Sequence, residues 1–252
     1  MTVKYTDDYL LDKKIKIFQP ENGYRTSSDA VLLSSLPKIK SGEKILDVGS
    51  GTGGISLCLA HRTKDFASEI IGIELQKDLA ELADMSAKAN NFADFLQYIN
   101  ADIREKIPLE NCTFHHVITN PPYAQNDMPS PNESKAFAHN HHDFSLKKWL
   151  EFCLKMLRPF GFLYVIHRAE ALSDILFALH KKTGNIQVFP LYSKKGQAAK
   201  RVMIVAQKDS KTPLKIHPPF VVHADNGEYT AEAELILRKG EDFFTATQTP
   251  LS

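Results

Sequence analysis

From Lys44 onward, short apolar runs alternate with longer amphipathic ones. Lys44-Ile45-Leu46-Asp47-Val48 reads as a buried parallel strand, because its apolar positions are nearly continuous instead of alternating. The same reasoning predicts strands over 69–74, 95–100, 114–119, 162–167, 186–191 and 202–207. Between them, 55–60, 78–90, 146–157 and 169–181 carry helical patterns, the third closed by Pro159 and Gly161. Strands separated by helices predict an α/β fold, a mostly parallel sheet covered on both faces. The last two strands are joined by a short polar segment, which predicts an antiparallel strand at the edge. Ahead of this, Thr26-Ser27-Ser28-Asp29 caps a short helix beginning at Ala30. Beyond Lys208, several prolines and the turn signal Asn226-Gly227 read as an extended appendage. The expected division is 1–40 as an N-terminal segment, 41–208 as the main α/β domain and 209–252 as an appendage packed on it.

The composition is that of an ordinary globular chain, 43% hydrophobic and 24% charged, with a formal net charge of +1. Net charge therefore predicts no polyanionic partner, and one would have to be held by local clusters. The candidates are Lys13-Lys14-Ile15-Lys16, Lys194-Lys195 and Lys200-Arg201, each of which, taken alone, reads more readily as solvated surface. The three cysteines, Cys58, Cys112 and Cys153, sit among apolar residues and are expected as reduced, partly buried thiols of a cytoplasmic protein. The opening residues are polar, with no signal-peptide pattern, and no apolar run is long enough to span a membrane.

The first strand runs into Asp47-Val48-Gly49-Ser50-Gly51-Thr52-Gly53-Gly54. Glycines here permit a tight turn and close approach of a ligand to the backbone. Gly49, Gly51 and Gly54 also fit a dinucleotide fingerprint, and Glu74, ending the next strand, is spaced to hold ribose hydroxyls. A nicotinamide-dependent oxidoreductase is thus one reading. Asp47 argues against it, because a carboxylate before the glycines repels a pyrophosphate but suits the cationic methionine end of S-adenosylmethionine. Asp102, beside Ile103 after the third strand, is placed to accept from an adenine amino group. Glycine loop, Glu74 and Asp102 follow three successive strands, at the end where open α/β sheets bind ligands.

The fourth strand leads directly into Asn120-Pro121-Pro122-Tyr123. Taken alone, two prolines mark a rigid turn. At this sheet end the residue types fit one chemistry. A planar amino nitrogen is a poor nucleophile because its lone pair is delocalised. The Asn120 amide oxygen and the Pro121 carbonyl are both acceptors, and together they would favour pyramidal geometry and aim the lone pair at a methyl donor. Pro122 and Tyr123 would border the planar group, with Tyr123 supplying a flat face for stacking.

In this order, the glycine loop, Glu74, Asp102 and Asn-Pro-Pro-Tyr resemble class I S-adenosylmethionine-dependent methyltransferases acting on planar amino groups. Over nearly the whole chain the sequence is similar to the bacterial tRNA1(Val) (adenine37-N6)-methyltransferase family. Gln19-Pro20, Gly23-Tyr24-Arg25, Ser28-Asp29-Ala30-Val31-Leu32-Leu33, Leu157 to Phe162, and Pro218 to His223 carry that likeness. The resemblance implies a seven-stranded Rossmann-like fold and N6-methylation of an adenine in tRNA, flipped into the Asn120 pocket. It implies S-adenosylmethionine held by Asp47, Gly49, Gly51, Gly53, Glu74, Asp102, Ile103 and Asn120, with Tyr24 and Arg25 closing over it. Lys194, Lys195, Lys200 and Arg201 are expected at the RNA-facing rim, and a monomer is favoured.

Protein-glutamine N5-methylation and guanine-N2 methylation of rRNA are the rival methyl transfers. The first would expect a helical recognition domain before the sheet, for which 1–40 is short. His139, His141, His142 and Asp143 invite a zinc reading, but a polar loop more often carries histidines at the surface, and no metal is expected.

Overall fold

A computed structural model of the chain describes residues 3–122 and 144–249. The expected strands form the centre of one sheet: β3 (Lys44–Val48), β4 (Glu69–Glu74), β5 (Leu96–Asn100), β6 (Phe114–Thr119), β7 (Leu157–Arg168), β8 (Thr183–Lys194) and β9 (Ala199–Lys208). Their spatial order is β8-β9-β7-β6-β3-β4-β5. β9 is antiparallel to both neighbours, whereas β3 to β7 are mutually parallel. The antiparallel strand, expected at the edge, therefore stands inside the sheet, between β7 and β8. The reason is connection length. The polar segment after Lys194 is too short for a crossover, so β9 must turn back beside β8, while the helix between β7 and β8 permits β8 to run parallel to β7 with a gap that β9 fills. β10 (Lys215–Ile216) and β11 (Phe220–His223) pair in parallel with the outer side of β8, making nine strands.

Helices cover both faces, as the near-continuous apolar strands require. α1 (Ser28–Ser34), α2 (Gly54–Thr63) and α3 (Lys77–Ala89) lie on one side, α4 (Leu146–Met156) and α5 (Leu172–Leu179) on the other. Strand alternation divides the core between them: Ile45 and Ile70 face the first layer, Leu46, Val48 and Ile73 the second. β7 begins directly after α4, at Leu157, and not at Phe162. Leu157 opposes Phe114 and Phe162 opposes His116, so residues 158–161 bulge out of the ladder, with Phe160 at φ 59°. Pro159 and Gly161, expected as a helix stop, belong to that bulge.

The N-terminal segment contains an antiparallel hairpin that its polar pattern concealed, β1 (Tyr5–Leu10) and β2 (Ile15–Pro20). Ile15 and Ile17 are fully buried. The hairpin docks on α3, where Phe18 N–H donates to Ser86 Oγ at 2.9 Å and Lys16 exchanges two backbone bonds with the Asn90 amide. The lysines at 13, 14 and 16 are therefore not a free basic stripe: Lys16 pairs with Asp7 at 2.7 Å and Lys14 caps the Lys239 carbonyl. The tail also departs from expectation. After the turn at Gly227 it is helical, through α6 (Ala231–Glu234), a π-helical turn at Leu235–Lys239 and α7 (Phe243–Thr247), and Phe243 packs against Phe189 and Phe220. Of the cysteines, Cys58 and Cys153 are buried, but Cys112 is exposed in a turn at φ 59°. Among the described residues no helix is long and apolar enough to cross a membrane.

Candidate active site

Sheet register brings the expected site residues to one edge. Val48 pairs with Ile73 on one side and with Thr119 on the other, and Glu74 pairs with Asn100. The carboxyl ends of β3, β4, β5 and β6 are therefore level, and Gly49, Glu74, Ala101 and Asn120 leave the sheet side by side.

The glycine loop turns through left-handed backbone at Gly49, Gly51 and Gly53, with φ of 73°, 56° and 87°. Side chains would also collide there: a Cβ at Gly51 would lie 2.5 Å from the Tyr24 ring, and one at Gly53 would run into the Tyr98 hydroxyl. Gly49 and Ser50 N–H both donate to the Ile73 carbonyl at 2.9 Å. Glu74 fixes the next residue, its Oε2 accepting from Gly51 N–H and its Oε1 from Gln76 N–H, both at 2.8 Å. The carboxylate thus shapes the loop while keeping acceptor capacity for hydroxyls.

Asp47 is completely buried. One carboxyl oxygen accepts from Ser56 N–H at 3.2 Å, while Oδ1 and the neighbouring Ser50 Oγ have no partner among the described residues. Burial pushes the Asp47 carboxyl up to about 7, against the Ser56 hydrogen bonds that lower it, and the Glu74 charge adds to the rise. The Asp47 carboxyl, with one oxygen unsatisfied among the described residues, and the nearby Glu74 carboxylate make a wall that favours a cationic, hydrogen-bond-donating ligand. Asp102 is half-buried and gripped by Arg104, whose Nε lies 2.9 Å from both carboxyl oxygens. Ile103 packs among the partly buried apolar residues on the α4 side.

Asn120 is half-buried, Pro121 buried and Pro122 exposed. Tyr123 lies outside the described residues, as do His139, His141, His142 and Asp143. Among the described residues no cluster able to hold a metal ion occurs.

Trp149 of α4, which the sequence did not single out as part of the site, ties this edge together. Its Nε1 donates to Thr119 Oγ1 at 2.9 Å, and that hydroxyl donates to the Val48 carbonyl at 2.7 Å. The indole also closes on Gly49, where a Cβ would lie 2.8 Å from the ring. The only signal in the sequence was that this is the chain's single tryptophan. Trp149→Phe is expected to lower the unfolding free energy by about 1 kcal/mol for the lost hydrogen bond, with a further loss for the missing ring. Thermal unfolding against wild type measures this, and an unchanged midpoint would show the tie to be idle.

Tyr24 lies against Gly51, and the adjoining Thr26 hydroxyl bonds Thr52 Oγ1 at 3.0 Å, so the segment before α1 crosses the glycine loop. Arg25 points elsewhere: its guanidinium holds Asp8 at 2.7 Å and the Pro20 carbonyl at 3.1 Å, clamping the hairpin. Lys194 ends β8, and Lys200 and Arg201 begin β9, so these residues and Lys195 between them stand at the same sheet end as Asn120. Arg201 opposes Arg168 and pairs with Asp29 at 3.0 Å.

Residues 26–148 match the family model described as the methyltransferase small domain. The fold is similar to that of a predicted O-methyltransferase from Agrobacterium tumefaciens, with TM-score 0.69 and 23% identity, covering 84% of this chain and 96% of that one. It is also similar to a tRNA (m1A58) methyltransferase from Aquifex aeolicus, with TM-score 0.54 and 14% identity, covering 77% and 73%. These likenesses establish the class I methyltransferase architecture. In sequence, the tRNA1(Val) (adenine(37)-N6)-methyltransferase of Haemophilus influenzae is 26% identical over 92% of this chain and 96% of its own. The protein of that name from Shewanella halifaxensis is 31% identical over 199 residues, covering 77% of this chain and 78% of its own. With that identity sustained over that length, the chain belongs to the tRNA1(Val) (adenine(37)-N6)-methyltransferase family.

Proposed function

We propose that the protein transfers a methyl group from S-adenosylmethionine to N6 of an adenine in tRNA, adenine 37 of tRNA1(Val). The observation that carries this reading is Asn120-Pro121 emerging from β6 level with Gly49, in a chain of this family. When bound, S-adenosylmethionine supplies an electrophilic methyl on a positively charged sulfur. Asp47, Gly49, Gly51, Gly53 and Glu74 would form its cradle, with the buried carboxyl groups toward the positive end and the hydroxyls. Asp102 and Ile103 would border the adenine of the cofactor, Asp102 accepting from its amino group in exchange for part of its hold on Arg104. Tyr24 covers the cradle, whereas Arg25 acts by holding the covering segment to the hairpin.

The Asn120 side-chain oxygen and Pro121 carbonyl accept the two N6 hydrogens of the target base. Both bonds favour the pyramidal amine and direct its lone pair toward the methyl. A nitrogen that gains a methyl becomes cationic and loses its proton readily to solvent, so these residues need supply no strong base. Tyr123 and Pro122 flank the flipped base. Family membership favours this reading over hydride transfer and over a protein-glutamine substrate.

Lys194, Lys195, Lys200 and Arg201 bind RNA phosphates at the rim. Lys194→Glu with Lys195→Glu is expected to weaken tRNA binding and flatten its salt dependence by about one unit of slope for each phosphate no longer neutralised. Unchanged salt slopes in filter-binding titrations would remove these lysines from the interface. The substrate and its location in the cytoplasm follow from the same reading, with 1–40 and 209–252 packed on the catalytic domain 41–208. The direct test is incubation with total tRNA and labelled S-adenosylmethionine, followed by nucleoside mass spectrometry. N6-methyladenosine in one tRNA is the expected product, and label in any other nucleoside would overturn the assignment.

A further inference from the structure

Between the first turn of α1 and the ends of β8, β9 and β11 lies a cavity of about 170 Å³ that the methyl-transfer site does not use. Its floor is apolar, made by Leu32, Leu191 and Val222. One wall is the Asp29–Arg201 ion pair, whose side chains are 16% and 33% exposed, and Lys200 stands beside it. A small recess with an aliphatic floor, walled by a carboxylate and a guanidinium, offers an apolar seat, an acceptor and a donor at once. Nucleobases need that combination: a hydrophobic seat for the ring and opposite hydrogen-bonding partners for its edge.

Its position relates it to Asn120. Val165 of β7 opposes Thr119, and Arg168, three residues on, opposes Arg201. Arg201 therefore lies two strand spacings, roughly 10 Å, across the sheet from Thr119 and roughly 10 Å further along the strand direction. That places the recess beside the target pocket, on the side bearing Lys194 and Lys195.

We infer that this recess is a second base-binding subsite, which seats a nucleotide neighbouring the target adenine in the same RNA strand. The inference rests on the RNA reading above and extends it from phosphate binding to base recognition. The Asp29 carboxylate accepts from the base edge and Arg201 donates to it, so the pair reads the base as well as bracing α1 against β9. Holding a neighbour out of the stack also helps expose the target.

The test compares methylation of intact tRNA1(Val) transcript with transcripts carrying one abasic site at each position flanking adenine 37, using wild-type and Ser193→Trp enzymes. Ser193 lines the recess on the same face of β8 as Leu191, so the indole fills it. For the intact transcript, Ser193→Trp is expected to raise KM about tenfold, the size of one base-stacking interaction, with kcat kept. One abasic position should impose a similar loss on wild type and none further on Ser193→Trp. Asp29→Asn, a milder change, should raise KM in the same direction. S-adenosylhomocysteine binding, measured by calorimetry, reports that each variant is folded. If every abasic transcript penalises variant and wild type alike, or KM is unchanged in both variants, the subsite is wrong while the functional reading stands. A wild-type enzyme that leaves the intact transcript unmethylated overturns both.

Discussion

Asn120→Ala is expected to lower kcat for methyl transfer by about 10²- to 10³-fold, the loss typical of removing one preorganised hydrogen-bonding group from a polar transition state. Cofactor affinity should fall far less than kcat, because Asn120 is one cofactor contact among several and the loop is held by Ile73, Glu74 and Trp149. The effect is large because the target nitrogen has almost no intrinsic nucleophilicity. The Pro121 carbonyl alone binds one hydrogen and leaves the amino group free to stay planar. Asn120→Asp tests the same idea from the other side, keeping an acceptor in place while adding a charge. Single-turnover rates at saturating tRNA separate chemistry from binding. Full activity in Asn120→Ala would remove the proposed alignment of the lone pair, whatever the product.

The second large effect concerns Asp47. Asp47→Asn is expected to weaken S-adenosylmethionine binding by about 10- to 100-fold, the scale of a charge-assisted hydrogen bond in a buried site. The pH dependence gives it a signature. The carboxyl of the free protein ionises only near 7, raised chiefly by burial. A cationic ligand favours the ionised form, so binding below that pH must release a proton. Affinity should therefore rise with pH through about 7 and flatten above it, and Asp47→Asn should abolish the rise. The linkage to folding has the opposite sign. The folded state holds this proton more tightly than the unfolded chain, so stability from this group is greatest below the unfolded value of 3.8 and declines as pH climbs to about 7. Asp47→Asn is accordingly expected to be more heat-stable than wild type at neutral pH while binding cofactor worse. Calorimetric titrations across this range check both, and a pH-independent wild-type affinity would remove Asp47 from the cofactor site.

Much of this was legible in the sequence, for a physical reason. Buried parallel strands must be apolar nearly throughout, so β3, β4 and β6 stood out within a residue of their ends. The same continuity exposed what is polar at those ends: Asp47, Glu74 and Asn120 are anomalies in apolar surroundings. Local pattern could not say which member of the last strand pair lies outermost, because that depends on a crossover and not on either strand. Nor could it find β1 and β2, since the hairpin's buried Ile15 and Ile17 alternate with lysines and its partner strand is acidic. Trp149 was missed for a similar reason. Its role comes from a bond that spans 30 residues of chain, relayed by a second that spans 71, and helical periodicity assigns it only to an apolar face.

The docking of the hairpin on α3 has a consequence for the order in which the protein is made. β1 and β2 leave the ribosome before α3, yet Ser86 and Asn90, which satisfy the backbone of β2 at Phe18 and Lys16, are 68 and 74 residues further along. A lone two-stranded hairpin is marginal in water. At about 5–20 residues per second, the hairpin waits several seconds for its seat. Tyr24 is fixed through Arg25 to that same hairpin, so the cover of the glycine loop is translated before the loop and settles after it.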